Sequence, residues 1–390
     1  MEKETQRDMI RKLSDNIISS LGFTTADNYK AVLEGKSGIS PGKDAVGNAI
    51  MVSRIDKEKL EETFRNTFKT QENYTLPEQA MLLSAHIAME EAGIRASSER
   101  TCFVLSSTKG NIHLLGLPSH GFGKDRVHLW HTARLLAGFF GNPNIPVTVS
   151  NACISGACAQ IAAMHLLDRG TYDHVVVTGM DLAPDFIVSG FQSFKSLDEE
   201  RCRPFDARRK GLNLGEAAAT IVYEKEKRPG ISLVRGSIRN DANHISGPSR
   251  TGEGLFRALE TTLGDLPAGD IAFVSAHGTA TPYNDQMEAV AFLRAGLQST
   301  PVFSLKALFG HTLGAAGILE SVIALKALEQ GLILPSAGYE DPGIEGDINV
   351  SINVSINVST TLSKTDKRFC LKTLSGFGGC NAVLLFENAL

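Results

Sequence analysis

Short β-branched runs alternate along the chain with longer segments that are apolar on every side. Val147–Val149 and the stretches 174–178 and 271–274 read as strands. The segments 157–167 and 314–328 are rich in Ala and lack a polar face, so they predict buried helices. Strands interleaved with helices predict an α/β layered fold.

Two stretches share one plan. A strand at 146–150 runs into Asn151-Ala152-Cys153-Ile154-Ser155-Gly156 and then a buried helix. A strand at 302–305 runs into the segment 306–317, KALFGHTLGAAG, and then another. Both set a small-residue turn at a helix N-terminus, a place where reactive groups are presented. This pairing is compatible with an internal duplication, although small residues also serve close packing alone. Between Ile348 and Ser359 the sequence INVS occurs three times, and its alternation predicts a strand with one buried face. Asn349, Asn353 and Asn357 there fall in N-x-S sequons, which matter only in a secreted protein.

Size and charge narrow the classes. The 390 residues are 42% hydrophobic and 21% charged, ordinary for a globular chain with a large core. A net charge of −4 argues against a nucleic-acid partner, which normally leaves a basic footprint. No run of apolar residues is long enough for a membrane span, and the charged first residues lack a signal-peptide core. A cytoplasmic location with free thiols is therefore expected. The six cysteines show no CxxC spacing, so no metal is expected.

Four segments carry candidate chemistry. Cys153 sits where a strand ends and a helix begins, and partial positive charge there favours a thiolate. A buried inert cysteine is the plain alternative. His277, in Ser275-Ala276-His277-Gly278-Thr279-Ala280-Thr281, follows a strand and is placed to face a pocket. His311 is a second such histidine, with Lys306 and Glu320 near enough in sequence to fix its protonation. Ser375-Gly376-Phe377-Gly378-Gly379-Cys380-Asn381 is a Gly-rich turn before a final strand, without phosphate-loop spacing. Each signal alone admits a structural role.

Taken together, NACISG, HGTAT, KALFGHTLGAAG and GFGGCN resemble the β-ketoacyl-acyl-carrier-protein synthase family. CRPFD at 202–206, GLNLGEA at 211–217, LGFT at 21–24 and LEGKSGI at 33–39 extend the resemblance over almost the whole chain. It implies an α/β fold of the thiolase type, a five-layer αβαβα sandwich of two similar halves. Residues 1–225 would carry the nucleophile and 226–390 both histidines. It also implies a decarboxylative condensation. Cys153 would accept an acyl group, while His277 and His311 would stabilise the enolate of a malonyl thioester. Lys306 and Glu320 would be the charged pair beside the second histidine. Backbone N–H groups of Cys153 and Phe377 would form an oxyanion hole. Thr279, Thr281 and Gly378 would contact the substrate arm. No metal or redox cofactor is implied, because substrates ride on the phosphopantetheine of acyl carrier protein. The implied partners are that carrier and a second subunit, in a homodimer or a heterodimer with a related ketosynthase-like chain. Basic residues expected to meet the acidic carrier are Lys124, Arg126, Arg203, Arg208, Arg209 and Lys210.

The chain also departs from the family pattern. Asn151 replaces threonine, Ile154 a small alanine, Ala280 a glycine and Ser375 a common phenylalanine. Glu216-Ala217-Ala218 replaces EGAG, and residues 9–18 replace the usual opening strand. These changes point to a specialised lipid, polyene or polyketide chain and leave acyl length open. Two alternatives stand beside the condensing enzyme: a non-catalytic chain-length partner, and a thiolase-type enzyme that uses coenzyme A esters and a second cysteine such as Cys380.

Overall fold

The computed structural model describes residues 9–117, 121–226, 228–344 and 355–390. Ten strands hydrogen-bond in series. In chain order they are β1 (Met9–Ser19), β2 (Thr101–Ser106), β3 (Val147–Val149), β4 (His174–Asp181), β5 (Ala217–Glu226), β6 (Ile231–Asn240), β7 (Ile271–Ser275), β8 (Val302–Phe303), β9 (Phe369–Gly376) and β10 (Cys380–Asn388). Across the sheet they run β3-β2-β4-β5-β1, then β6-β10-β9-β7-β8.

Within each set of five, the order counted along the chain is third, second, fourth, fifth, first. The senses match as well. The first–fifth and fifth–fourth pairs are antiparallel, and the fourth–second and second–third pairs are parallel, in both sets. One pattern used twice with one set of directions is the duplication that the two turn segments hinted at. Among the described residues the strands of the two sets pair where β1 meets β6, at Ile10↔Leu233 and Arg11↔Ser232.

Helices complete five layers. The helix α1 (Leu76–Ala92) starts with a capping box of Thr75 and Glu78, ends at Gly93 in the left-handed conformation, and packs on β1, β5 and β4. With α2 (Leu129–Phe139) it covers the outer face of the first set. On the far side, α5 (Glu253–Leu263) packs on β10 and β6, with α6 (Pro282–Arg294) beside it. A further helix, α4 (Asp185–Ser193), lies near the site.

Between the sets run α3 (Ser155–Asp168) and α7 (Ala316–Glu329), the two segments without a polar face. Each contacts strands of both sets, which is why neither needs a solvent side. They cross closely at Gly156 and Gly317: a Cβ at Gly156 would stand 2.9 Å from Gly317 Cα. The architecture is thus the αβαβα sandwich expected from the motifs.

Some local expectations differ from the result. Residues 9–18, unusual as an opening strand, do form β1. The segment after β8 is not one turn but a short helix, Lys306–Phe309, and a 3-10 turn, Leu313–Ala315. Most of the INVS repeat, including Asn349 and Asn353, lies outside the described residues. Its end forms no regular strand; Val302 N–H donates to Asn357 O and Ser359 N–H to Val302 O, a single bridge at Val358. Among the described residues no helix is long and apolar enough to cross a membrane.

Candidate active site

Four chain segments end at one place. Cys153 follows β3, His277 follows β7, His311 follows β8 and Phe377 follows β9. Because α3 and α7 are equivalent helices of the two halves, their N-terminal ends bring Cys153 and His311 together. The thiol and both imidazoles each place one ligand-type atom within 4.8 Å of the others, and all three residues are buried. The two rings stand edge to face at 5.1 Å.

Local backbone geometry presents the thiol. Ala152 takes a positive φ of 44°, a strained setting for a side chain with a Cβ. Ser155 Oγ clamps the turn, donating to Ala152 O at 2.6 Å and accepting from Asn151 N–H at 2.7 Å. Gly376 is needed beside it: a Cβ there would lie 3.1 Å from Cys153 N. The Phe377 backbone N–H lies near enough to the sulfur to favour its charged form. Ile154 points into the central core, not the pocket, so its bulk does not crowd the sulfur.

Burial pushes the Cys153 thiol up to about 11, opposed by the Lys306 charge, the Phe377 N–H and Lys109. The resting group is therefore a thiol, contrary to the thiolate that a helix terminus alone would favour. Desolvation outweighs the helix end here, since most of the residue's surface is buried. Burial, with Lys306 and Lys372 nearby, holds both histidines well below the usual imidazole range. Both rings are neutral at pH 7.

Neighbouring donors set the tautomers. Leu313 N–H lies 3.3 Å from His311 Nδ1, which leaves the ring proton on Nε2. That Nε2 is buried without a hydrogen-bond partner. Lys306 Nζ lies 3.4 Å from His277 Nδ1, and an ammonium can only donate, so His277 too carries its proton on Nε2. Two neutral N–H donors thus stand beside one thiol.

Lys306 sits on the His311 segment and acts on both rings: its ammonium reaches His277 Nδ1, and its charge also disfavours protonation of His311, as the sequence led one to expect. Its ammonium pairs with Glu320, as expected, and Glu320 has a second buried cation in Lys372 at 2.7 Å. Glu288 is a further buried acid. It accepts the N–H groups of His277 at 2.9 Å and Gly278 at 2.6 Å, and the Thr373 hydroxyl at 3.0 Å. Asp181 plays a similar part near His311, accepting Gly314 N–H at 2.7 Å and the Ser107 and Thr108 hydroxyls.

A cavity of about 490 Å³ opens onto Cys153, His277 and His311. Thr279 and Thr281 line it, their hydroxyls 2.8 Å apart. Ala280 between them takes a positive φ of 61°, which explains the family glycine at that position. Gly378 does not line the cavity. Its N–H is tied to Ile245 O at 2.7 Å and its carbonyl to Asn240 at 2.8 Å, while Gly376, Phe377 and Gly379 of the same loop line the cavity. Ser375 donates to Asn381 Oδ1 at 2.7 Å. Cys380 is also absent from the lining and lies 3.2 Å from Asn240 Nδ2.

Sequence reasoning missed two parts of the wall. Phe191 and Phe194 flank Phe377, at 5.8 and 5.3 Å between ring centres. The segment of Asp241, His244 and Ser246 forms the other side. Its run of Asn, Asp, His and Ser after a strand was the available signal. Of the basic docking candidates, Lys210 lines the cavity, joined by Lys195. Arg126 instead pairs with Glu78 at 2.7 Å, and Arg208 pairs with Glu340. Arg203 lies near Glu200 and Glu340, while Arg209 donates to the carbonyls of Asp206 and Gly343.

With this fold and site in view, the chain belongs to the β-ketoacyl synthase family. Residues 17–228 match its N-terminal domain and 231–340 its C-terminal domain. The 3-oxoacyl-[acyl-carrier-protein] synthase 2 of Vibrio harveyi is 27% identical, over 95% of this chain and 96% of that one. A chain named polyketide β-ketoacyl synthase 1 in Streptomyces halstedii is 32% identical, over 65% of this chain and 63% of its own length. Among solved structures, a ketosynthase in complex with its chain length factor from Xenorhabdus doucetiae has the same fold. It superposes with a TM-score of 0.85 at 24% identity, covering all of both chains.

Proposed function

We propose that this chain is an acyl-accepting β-ketoacyl synthase that extends carrier-bound chains of a fatty-acid-like, polyene or polyketide kind. The observation that carries the reading is the buried triad itself, one thiol within 4.8 Å of two imidazoles at the floor of a cavity.

In this scheme Cys153 attacks an acyl thioester, and the departing carrier thiol takes up the cysteine proton. The oxyanion of that step is held by the N–H groups of Cys153 and Phe377. A malonyl thioester then places its thioester oxygen against the Nε2–H groups of His277 and His311. Loss of carbon dioxide leaves its electron pair as an enolate, which the two donors stabilise. The enolate carbon attacks the acyl-cysteine, the C–S bond breaks, and the β-ketoacyl product leaves on the carrier while Cys153 regains a proton. Neutral rings suit this role, since each donates a proton without transferring it. Thr279 and Thr281 would hold the phosphopantetheine arm, and Lys195 and Lys210 at the cavity would meet its phosphate. The scheme calls for no resident cofactor.

A second subunit fits the open edge of the sheet. β3 ends the first set, pairs with β2 alone among the described residues, and has partly exposed residues at both ends. Both a second copy and a related partner chain are compatible with such an edge.

The test is intact-protein mass spectrometry after mixing the chain with a panel of acyl-carrier-protein thioesters, beside Cys153→Ala. The expected result is a stoichiometric adduct that vanishes in the variant. No adduct with any donor would overturn the acyl-accepting role and favour the chain-length partner.

A further inference from the structure

Lys372 is a fully buried cation to which the scheme above gives no task. Its ammonium donates to three backbone carbonyls: Ser275 at 3.0 Å, Ala276 at 3.1 Å and Thr373 at 2.9 Å. Its fourth and shortest contact is Glu320 Oε2 at 2.7 Å, a partner of opposite charge.

The carbonyls belong to two neighbouring strands. Ser275 ends β7, and Ala276 directly precedes His277. Thr373 lies in β9, which runs on into Gly376 and Phe377. Ser275 and Lys372 are direct partners in the parallel pairing of β7 and β9. The ammonium therefore ties the segment that presents His277 to the segment that presents the Phe377 amide. Glu320 links the same cation to Lys306, and Lys306 to His277 Nδ1. Glu288 makes a parallel bridge, from the N–H groups of His277 and Gly278 to Thr373. Two lysines and two glutamates thus form a buried cluster beneath the rings.

We infer that Lys372 is a positioning residue: an internal cation whose oxygen cage locks the His277 segment to the Phe377 loop and balances Glu320 beneath the histidine pair. The inference rests on the condensing reading for its kinetic consequence but not for its structural one. A cage of three carbonyls and a carboxylate recognises an ammonium by charge and size, so a small amine should replace the lysine head group. Its positive charge also disfavours protonation of both rings.

The experiment compares Lys372→Ala and Lys372→Met with the unaltered chain, with and without methylammonium chloride. Sodium chloride at equal ionic strength is the control. Two quantities are read: kcat and KM for condensation, and the titration of His277 and His311 by NMR. Lys372→Ala is expected to lose about 10-fold or more in kcat, as when a group supporting a site is removed, with KM little changed. Its histidines should titrate at higher pH. Methylammonium should saturably restore both quantities in Lys372→Ala and neither in Lys372→Met, whose side chain fills the cage without charge. Unaltered kcat and histidine titration in the Met variant would overturn the inference. So would a folded Ala variant that methylammonium does not rescue. If the unaltered chain shows no condensation, the proposed function fails while the histidine titration still decides the role of Lys372.

Discussion

Gly156→Ala tests the packing that joins the halves. The added Cβ would lie 2.9 Å from both Gly317 Cα and Ile318 N, and both obstacles are backbone. Carbon contacts settle at about 3.5–4.0 Å, so α3 and α7 must part by roughly 0.5–1 Å. Overpacking of this kind costs about 1–3 kcal/mol. At about 2.1 cal/mol/K per residue, 390 residues have an unfolding entropy near 0.8 kcal/mol/K. Tm should therefore fall by about 1–4 °C. The chemical cost is larger, because Cys153 stands before α3 while Glu320, the partner of Lys306 and Lys372, rides on α7. A shift approaching 1 Å costs about 10²-fold in a reaction that needs aligned groups. The assay pairs differential scanning calorimetry with the rate of acyl-adduct formation by mass spectrometry. Gly138→Ala is the contrast, since nothing lies within 4 Å of its Cβ and its place in α2 suits Ala. That change should raise stability by about 0.4–1 kcal/mol. If Gly156→Ala matched the unaltered chain in both Tm and acylation rate, the reasoning from close helix crossing would be refuted.

Two further outcomes follow from the site. His311→Ala removes one of two neutral donors, so decarboxylation of a malonyl thioester should slow by about 10²–10³. Acyl-adduct formation on Cys153 should stay within a few-fold, and equal losses in both steps would contradict the assigned division of labour. Acid should destabilise the chain through its histidines. Their folded values lie below the free imidazole value, so the unfolded chain binds more protons in that window. The stability they contribute is full above about pH 6.5 and declines as pH falls, by about 1.4 kcal/mol per pH unit for each ring. Asp285, raised to about 7 by burial, works in the opposite sense. Urea unfolding of the unaltered chain and His311→Gln from pH 7 to 5 separates the two, because only the histidine slope differs between them. Parallel curves would show that His311 is not held neutral by the fold.

The linear order of residues determined a good deal. Two segments without a polar face had to be buried, and they became the central helices. Three short motifs named Cys153, His277 and His311, because the chemistry needs those side chains at strand ends, and strand ends are marked locally by glycine and small residues. Tertiary structure decided the rest. Which lysine touches which histidine depends on strand neighbours: β8 lies beside β7, so Lys306 on the His311 segment reaches His277. The cage around Lys372 depends on the pairing of β7 with β9, residues nearly a hundred positions apart. Gly378 looked like a substrate contact, but the loop after β6 captured its backbone. The helix-end position of Cys153 predicted a thiolate, whereas burial set by both halves together made it a thiol. Local sequence fixes residue type and backbone bias. Solvation and charge at a site come from the whole of its surroundings, and those exist only once distant segments have packed.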